Sequence, residues 1–77
     1  MTLNNNVNLI GTCNVGYEII KQGKQSVIGY NSQRTFDQYV AWSYKLDQNN
    51  KVYYFWGHYG ELEYVEEYFL EKEDRIF

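Results

Sequence analysis

Short segments in which apolar and polar residues alternate make up most of the chain between Val15 and Tyr59. This period of two is typical of half-buried β-strands, and polar or glycine residues separate the segments. The pattern predicts four strands, at about Val15–Lys21, Gln25–Tyr30, Gln38–Leu46 and Lys51–Tyr59. The intervening Gln22-Gly23-Lys24 and Asp47-Gln48-Asn49-Asn50 are typical of hairpin connections, so we expect an antiparallel meander.

After Gly60 the period changes to about 3.6, which predicts an amphipathic helix near Glu61–Arg75. One side of this helix collects Leu62, Val65, Tyr68, Phe69, Lys72 and Ile76. Leu70 lies off that apolar stripe and is a candidate exposed anchor. The predicted fold class is α+β, a four-stranded antiparallel meander sheet with one C-terminal helix packed on one face (ββββα).

A length of 77 residues allows one domain. Residues 1–8 are polar and rich in Asn, and they are expected to form a flexible N-terminal arm before a single domain at 9–77. The longest apolar run, from Val52 to Trp56, is far shorter than the roughly 20 residues of a membrane span. No Lys or Arg precedes Lys21, so a signal peptide is not indicated and a cytoplasmic protein is expected.

The fourth predicted strand carries rings on both of its faces. Tyr54 and Trp56 alternate with Tyr53 and Phe55, and one helix cannot cover both sets. A two- or four-residue connection from the third strand would put Trp42 with Tyr53 and Phe55. The set opposite would then be Tyr39, Tyr54 and Trp56. A connection of three or five residues reverses this pairing, since a slip of one residue exchanges the faces.

In either register, large rings are expected on the face that the helix leaves uncovered. Exposed contiguous apolar surface marks interaction sites, and Trp and Tyr are enriched at the energetic centres of interfaces. The candidate partner-binding residues on the sheet are therefore Tyr39, Tyr54 and Trp56. The alternative is that Tyr simply covers the sheet, with its ring packed and its hydroxyl in water.

Charge is unevenly divided along the chain. Residues 1–59 have a net charge of +2, whereas residues 60–77 have a net charge of −5. The acidic helix would repel nucleic acid or fit a basic groove on a partner, which makes Glu66, Glu67 and Leu70 further candidate contacts. The alternative is a solvated helix face that serves solubility.

The sequence carries little that indicates catalysis, and no metal or other cofactor is expected. His58 is the single His, and its neighbours Tyr59 and Glu61 do not by spacing alone make an acid–base site. Cys13 has no predicted neighbour that would activate it. The run from Gly11 to Gly16 lacks the Lys-Ser/Thr pair of a phosphate-binding loop. The protein is therefore expected not to be an enzyme.

Three short motifs precede the acidic helix: Gly29-Tyr30-Asn31, Tyr39-Val40-Ala41-Trp42 and Tyr54-Phe55-Trp56-Gly57-His58-Tyr59. Over about residues 16–75 the chain resembles small uncharacterised ββββα proteins of mobile elements and phages of low-GC Gram-positive bacteria. The resemblance implies the fold and no particular activity. Anti-CRISPR and other anti-defence proteins share the size and acidity of the chain, but no motif.

The leading functional hypothesis is a non-enzymatic interaction module that binds a larger protein, as a mobile-element inhibitor or adaptor. A second hypothesis is a single-stranded nucleic-acid binder that stacks bases on the sheet rings beside Lys45 and Lys51. The net charge of −3 and the lack of an RNP consensus oppose it. A third is a homodimer joined through sheet faces or edges, because the chain has no Pro to protect an edge strand.

Overall fold

A computed structural model describes residues 7–74 as an antiparallel sheet followed by one helix. The elements are β1 (Cys13–Asn14), β2 (Tyr17–Gln22), β3 (Ser26–Tyr30), β4 (Tyr39–Leu46), β5 (Val52–Gly60) and α1 (Leu62–Asp74). The α+β class, the antiparallel sheet and the C-terminal helix are confirmed. Within residues 7–74, no helix has the length and apolarity needed to cross a membrane.

The sheet has five strands, so the prediction of four is wrong. The additional strand, β1, has only two residues, which is too short for any alternation to show in the sequence. A tight turn at Val15 and Gly16, with φ of 43° and 89°, returns the chain into β2. The strand predicted from Val15 therefore begins two residues later, at Tyr17, because Val15 and Gly16 form this turn.

The predicted N-terminal arm falls mostly outside the described residues, which begin at Val7. Leu9 is buried in the core, and Val7 packs partly against it. The side chain of Gln22 holds this segment to the sheet: its Oε1 accepts the Leu9 N–H at 2.8 Å, and its Nε2 donates to the Val7 carbonyl at 2.8 Å. Residues 7–9 thus cover one end of the sheet.

The strands lie in the sheet in chain order, β1-β2-β3-β4-β5, and every neighbouring pair is antiparallel. Leu46 pairs with Val52, so five residues connect β4 to β5. This is the reversed case of the two registers, and Trp42, Tyr44 and Tyr54 share a face. Between Ala41 and Ser43 the register shifts, which marks a β-bulge in β5.

The helix packs on one face of the sheet. Its buried side chains are Val65, Phe69 and Lys72, and Val65 and Phe69 join Ile28 and Ala41 in one core cluster. The helix ends at Asp74, so the predicted stripe residue Ile76 and the predicted last helical residue Arg75 lie outside the described range. The buried residues are spaced four and three positions apart and therefore line one side of the helix. Leu70 does not fit this spacing, which explains why it is 61% exposed.

The other face holds a second core cluster, because the sheet curls into a half-barrel. Tyr17 and Trp42 are 3% and 4% exposed, and their rings meet edge to face with centroids 5.7 Å apart. The expectation of a broad uncovered aromatic face is therefore wrong. A twisted sheet covers its own concave side, and Leu9 adds to this cover.

Glu73 joins the helix to the turn between β2 and β3. Its carboxylate accepts the backbone N–H of Lys24 at 2.8 Å, the backbone N–H of Gln25 at 2.9 Å and the hydroxyl of Ser26. Gly23 leaves room for this contact, since a Cβ there would lie 2.5 Å from the Glu73 carboxylate. We call this arrangement the Glu73 clamp.

Candidate interaction surface

The structure separates the two tyrosines that the sequence analysis selected as partner contacts. Tyr39 is half-buried on the helix side, where its ring lies 4.8 Å from that of Tyr30. Tyr54 is half-buried on the concave side, with its ring 5.2 Å from that of Trp42. They do not share a face with each other, because the five-residue connection reverses the pairing on which their grouping depended.

Among the three predicted contacts on the sheet, Trp56 stays accessible, with 57% of its surface exposed. It lies at the bulge, where Trp56 and Gly57 together oppose Trp42 of β4. A Cβ on Gly57 would lie 2.7 Å from the Trp42 indole nitrogen, so residue 57 must be Gly. Trp56 itself has φ of 55°, a left-handed conformation that bulky residues rarely adopt.

A buried lysine fixes the backbone of Trp56. Lys72 is 5% exposed, and its Nζ donates a hydrogen bond of 2.7 Å to the Trp56 carbonyl oxygen. Hydrogen bonds from a charged donor are shorter and stronger than neutral ones. The helix therefore holds the bulge in place from beneath, while the indole of Trp56 remains accessible to solvent.

Further rings continue from Trp56 along β5 and the adjoining side of the helix. The Phe55 and Trp56 rings meet edge to face at 4.9 Å. His58 stacks on Tyr68 with centroids 3.8 Å apart and planes inclined by 8°. Tyr64, which is 46% exposed, packs edge to face on Tyr68 at 5.0 Å. We call these rings the Trp56 surface: Phe55, Trp56, His58, Tyr64 and Tyr68.

Two carboxylates border this surface. The pKa of Tyr68 is raised above its ordinary value of 10.0, first by its hydrogen bond with Tyr64 and by the charge of Tyr64, then by burial and by the charges of Glu71 and Glu67. Tyr68 thus keeps its proton at neutral pH. Glu67 follows Tyr64 by three residues and Glu71 follows Tyr68 by three, and residues at this spacing are neighbours on a helix surface, so both carboxylates lie beside the rings.

The remaining predicted helix contacts differ in position. Glu67 is exposed, Glu66 is half-buried and Leu70 is exposed. At 100° per residue, Leu70 projects from the side of the helix opposite to Tyr68 and Lys72, the two residues that meet β5. Leu70 is therefore not part of the Trp56 surface, whereas Glu67 borders it.

A smaller patch surrounds Tyr53 near the β4–β5 connection, and it includes Asp47, whose carboxylate accepts the Tyr53 hydroxyl at 3.3 Å. Tyr53 is 45% exposed and pairs across the sheet with Lys45. The Lys51 Nζ lies 5.9 Å from the centre of the Tyr53 ring, within the range of a cation–π contact. This patch brings together an accessible ring and the two lysines of the nucleic-acid hypothesis.

Within residues 7–74, no group of three or more His, Cys, Asp or Glu side chains is placed to hold a metal ion. Cys13 is a free, exposed thiol in β1. His58, the candidate acid or base, is half-buried in its stack with Tyr68.

Several residues of the Trp56 surface were not identified from the sequence. Tyr64 and Tyr68 belong to the predicted helix, and only the return of α1 across β5 brings them beside the bulge. Lys72 is one feature of the sequence that could have indicated this site. A lysine within an apolar helical stripe is expected to reach a polar partner. Gly57, directly after Trp56, is a second such feature, since an isolated Gly within a strand suggests a bulge or a close backbone approach.

Comparisons with protein-family models, with curated proteins and with solved structures found no match for this chain. The resemblance to mobile-element and phage proteins therefore stays a prediction.

Proposed function

We propose that this protein is a non-enzymatic interaction module that binds a larger protein through the Trp56 surface. The observation that carries the proposal is the state of Trp56, which is 57% exposed and has φ of 55°. A left-handed conformation costs an L-residue about 1–2 kcal/mol. Gly would avoid this cost, so the exposed ring at this position is retained at the expense of folding stability.

The role of an anchor explains this cost. Trp is among the residues that dominate binding energy when a partner encloses them, and rigid placement reduces the entropy lost on binding. Here the hydrogen bond from Lys72 fixes the backbone, and the edge-to-face contact with Phe55 limits the movement of the indole. Trp56 is thus preorganised for insertion into an apolar pocket.

The charge beside the anchor indicates the chemistry of the partner. Glu67 and Glu71 border the rings, and residues 60–77 have a net charge of −5. A complementary partner surface has an apolar pocket for Trp56 with Lys or Arg around it. An acidic inhibitor or adaptor encoded by a phage or mobile element, working in the cytoplasm, fits this description and forms part of the proposal.

The test is affinity capture from the native host with wild-type protein and two variants. Trp56→Gly removes the ring and suits the left-handed backbone, whereas Phe36→Ala removes another exposed ring, far along the chain from β5. We expect Trp56→Gly to remain folded and to lose a partner that wild type and Phe36→Ala both retain. Retention of every partner by folded Trp56→Gly would contradict the proposal, as would its unfolding.

The Tyr53 patch supports a second candidate function, binding of single-stranded nucleic acid. Lys45 and Lys51 lie beside its exposed ring and supply positive charge for phosphates. Anisotropy of a labelled oligonucleotide tests it. Binding that weakens steeply with salt and is lost in Tyr53→Ala would favour this function over the first.

Self-association is a third candidate. β5 is the last strand of the sheet, so one of its edges has no neighbouring strand within residues 7–74. Exposed strand edges pair readily with other chains. Sedimentation across a range of concentrations tests this: a dimer that persists in Trp56→Gly would favour edge pairing over the Trp56 surface.

A further inference from the structure

A pocket of about 420 Å³ lies among residues from three separate parts of the chain. Its lining residues are Val15, Tyr17, Arg34, Asp37 and Tyr59. None of them belongs to the Trp56 surface. A volume of this size falls within the range of small-ligand sites, which combine apolar walls with a few converging polar groups.

The backbone around the pocket is held in unusual conformations. Val15 has φ of 43° and Asp37 has φ of 54°, and both lie in the left-handed region. A β-branched residue such as Val is an outlier there. Tyr17 fixes one of these positions, because its hydroxyl donates a hydrogen bond of 2.7 Å to the Asp37 carbonyl oxygen. Such strain is concentrated at functional sites in proteins.

The loop that carries Arg34 is braced by its own hydrogen bonds. The Nε of Arg34 donates to the Phe36 carbonyl at 3.0 Å, and Gln38 Nε2 donates to the Arg34 carbonyl at 2.9 Å. The terminal amino groups of the guanidinium have no hydrogen-bond partner among residues 7–74. They are therefore available for a ligand, on a side chain whose Nε is already anchored.

Two of the lining residues, Tyr17 and Tyr59, are aromatic. Tyr17 is 3% exposed, and its ring meets that of Tyr59 at 5.7 Å. Burial raises the pKa of Tyr17 and the charge of Arg34 lowers it, so the guanidinium lies close enough to act on that hydroxyl. The Tyr59 hydroxyl, like the guanidinium end, has no hydrogen-bond partner in the described part of the chain.

We propose that this pocket binds a carboxylate attached to an apolar or aromatic group. The carboxylate binds Arg34 and the Tyr59 hydroxyl, and the apolar part packs on the exposed Tyr59 ring and Val15. A planar guanidinium matches a carboxylate with paired hydrogen bonds. Asp37 also lines the pocket, and its negative charge disfavours a doubly charged phosphate more than a singly charged carboxylate.

The probes are N-acetylphenylalanine, its amide and phenyl phosphate, titrated into the folded protein and followed by ¹H–¹⁵N NMR. We expect the acid to shift the signals of the Arg34 and Tyr59 segments and to bind more tightly than the other two. Equal binding of acid and amide, or tighter binding of phenyl phosphate, would overturn the proposal. A Gly-Gly-Phe peptide distinguishes the source: tighter binding than the acid indicates a chain terminus, and weaker binding a free small acid.

Variants provide the second arm. Arg34→Gln is expected to weaken binding of the acid at least about tenfold, and Tyr59→Phe about threefold, whereas Lys45→Gln outside the pocket changes it little. Asp37→Asn gives the sharpest result, because Asn tolerates the left-handed backbone and removes only the repelling charge. It should strengthen binding severalfold, and weakening would show that the site takes a cation. Trp56→Gly should bind the acid unchanged, so this proposal and the proposed function fail separately.

Discussion

The Glu73 clamp makes a quantitative prediction about stability. The Lys24 N–H bonds to Oε1 of Glu73 and the Gln25 N–H to Oε2. In Glu73→Gln one of these oxygens becomes an amide NH₂, which cannot accept a hydrogen bond. At least one of three hydrogen bonds is lost, and the others lose their charge assistance, for a cost of about 2 kcal/mol. Removing a negative charge near the helix C-terminus stabilises the folded state by about 0.5 kcal/mol, because that charge interacts unfavourably with the helix dipole. The expected net destabilisation is about 1–2 kcal/mol.

Urea unfolding measures this difference. Trp42 is buried in the core and its fluorescence reports the loss of structure. The control is Glu67→Gln, which removes a carboxylate from an exposed position on the same helix and is expected to change the free energy of unfolding by less than about 0.5 kcal/mol. Equal stability of Glu73→Gln and wild type would refute the role of the clamp.

The same clamp predicts a pH dependence. Burial raises the pKa of Glu73, but the hydrogen bonds from Ser26, Gln25 and Lys24 outweigh it and hold the pKa below the ordinary 4.5. A group whose pKa is lower in the folded state stabilises the protein above its unfolded pKa. That contribution is lost as the pH falls through the folded pKa. The stability difference between wild type and Glu73→Gln should therefore be constant near neutral pH and shrink below about pH 4.

Three further substitutions test other contacts. Gly23→Ala places a Cβ against the Glu73 carboxylate, so it should destabilise by about 1–2 kcal/mol alone and by much less in the Glu73→Gln background, as a double-mutant cycle by urea unfolding would show. Trp56→Gly should raise the free energy of unfolding or leave it unchanged, since it relieves the left-handed strain; a loss above about 1 kcal/mol would place the indole in the core. Lys72→Met should cost about 1–3 kcal/mol by removing the donor to the Trp56 carbonyl, and a red shift of the Trp56 emission relative to Lys72→Arg would show that the bulge has loosened.

The sequence predicted elements well where alternation and turn residues agreed. The predicted strand at Gln25–Tyr30 became Ser26–Tyr30, and that at Lys51–Tyr59 became Val52–Gly60. The Asp47–Asn50 segment was correctly predicted as a turn, and Asp47 Oδ1 accepts the N–H groups of Asn49 and Lys51 there at 2.8 and 2.9 Å. Such local hydrogen bonding is encoded over a few residues and is visible without a structure.

The face on which each ring lies was not predictable, for two physical reasons. The parity of the β4–β5 connection depends on whether Lys51 belongs to the loop or to the strand, and its composition allows both. The bulge in β5 then reverses the faces of the residues that follow it. The ring centroids of Tyr59 and Trp42 are therefore 6.2 Å apart, whereas His58 faces the helix. The left-handed conformation of Trp56 was not predictable either, because bulky residues rarely adopt it. The pocket was not predictable because its lining residues come from three segments that are distant in the sequence.

The order of strands in the sheet has a consequence for biosynthesis. Each strand pairs with the one made just before it, so successive hairpins have their partners available as the chain leaves the ribosome, and no early strand waits for a distant one. The helix is synthesised after the five strands, and the contact of Glu73 with Lys24 spans 49 positions. We therefore expect the meander to assemble vectorially, with docking of the helix as the closing event.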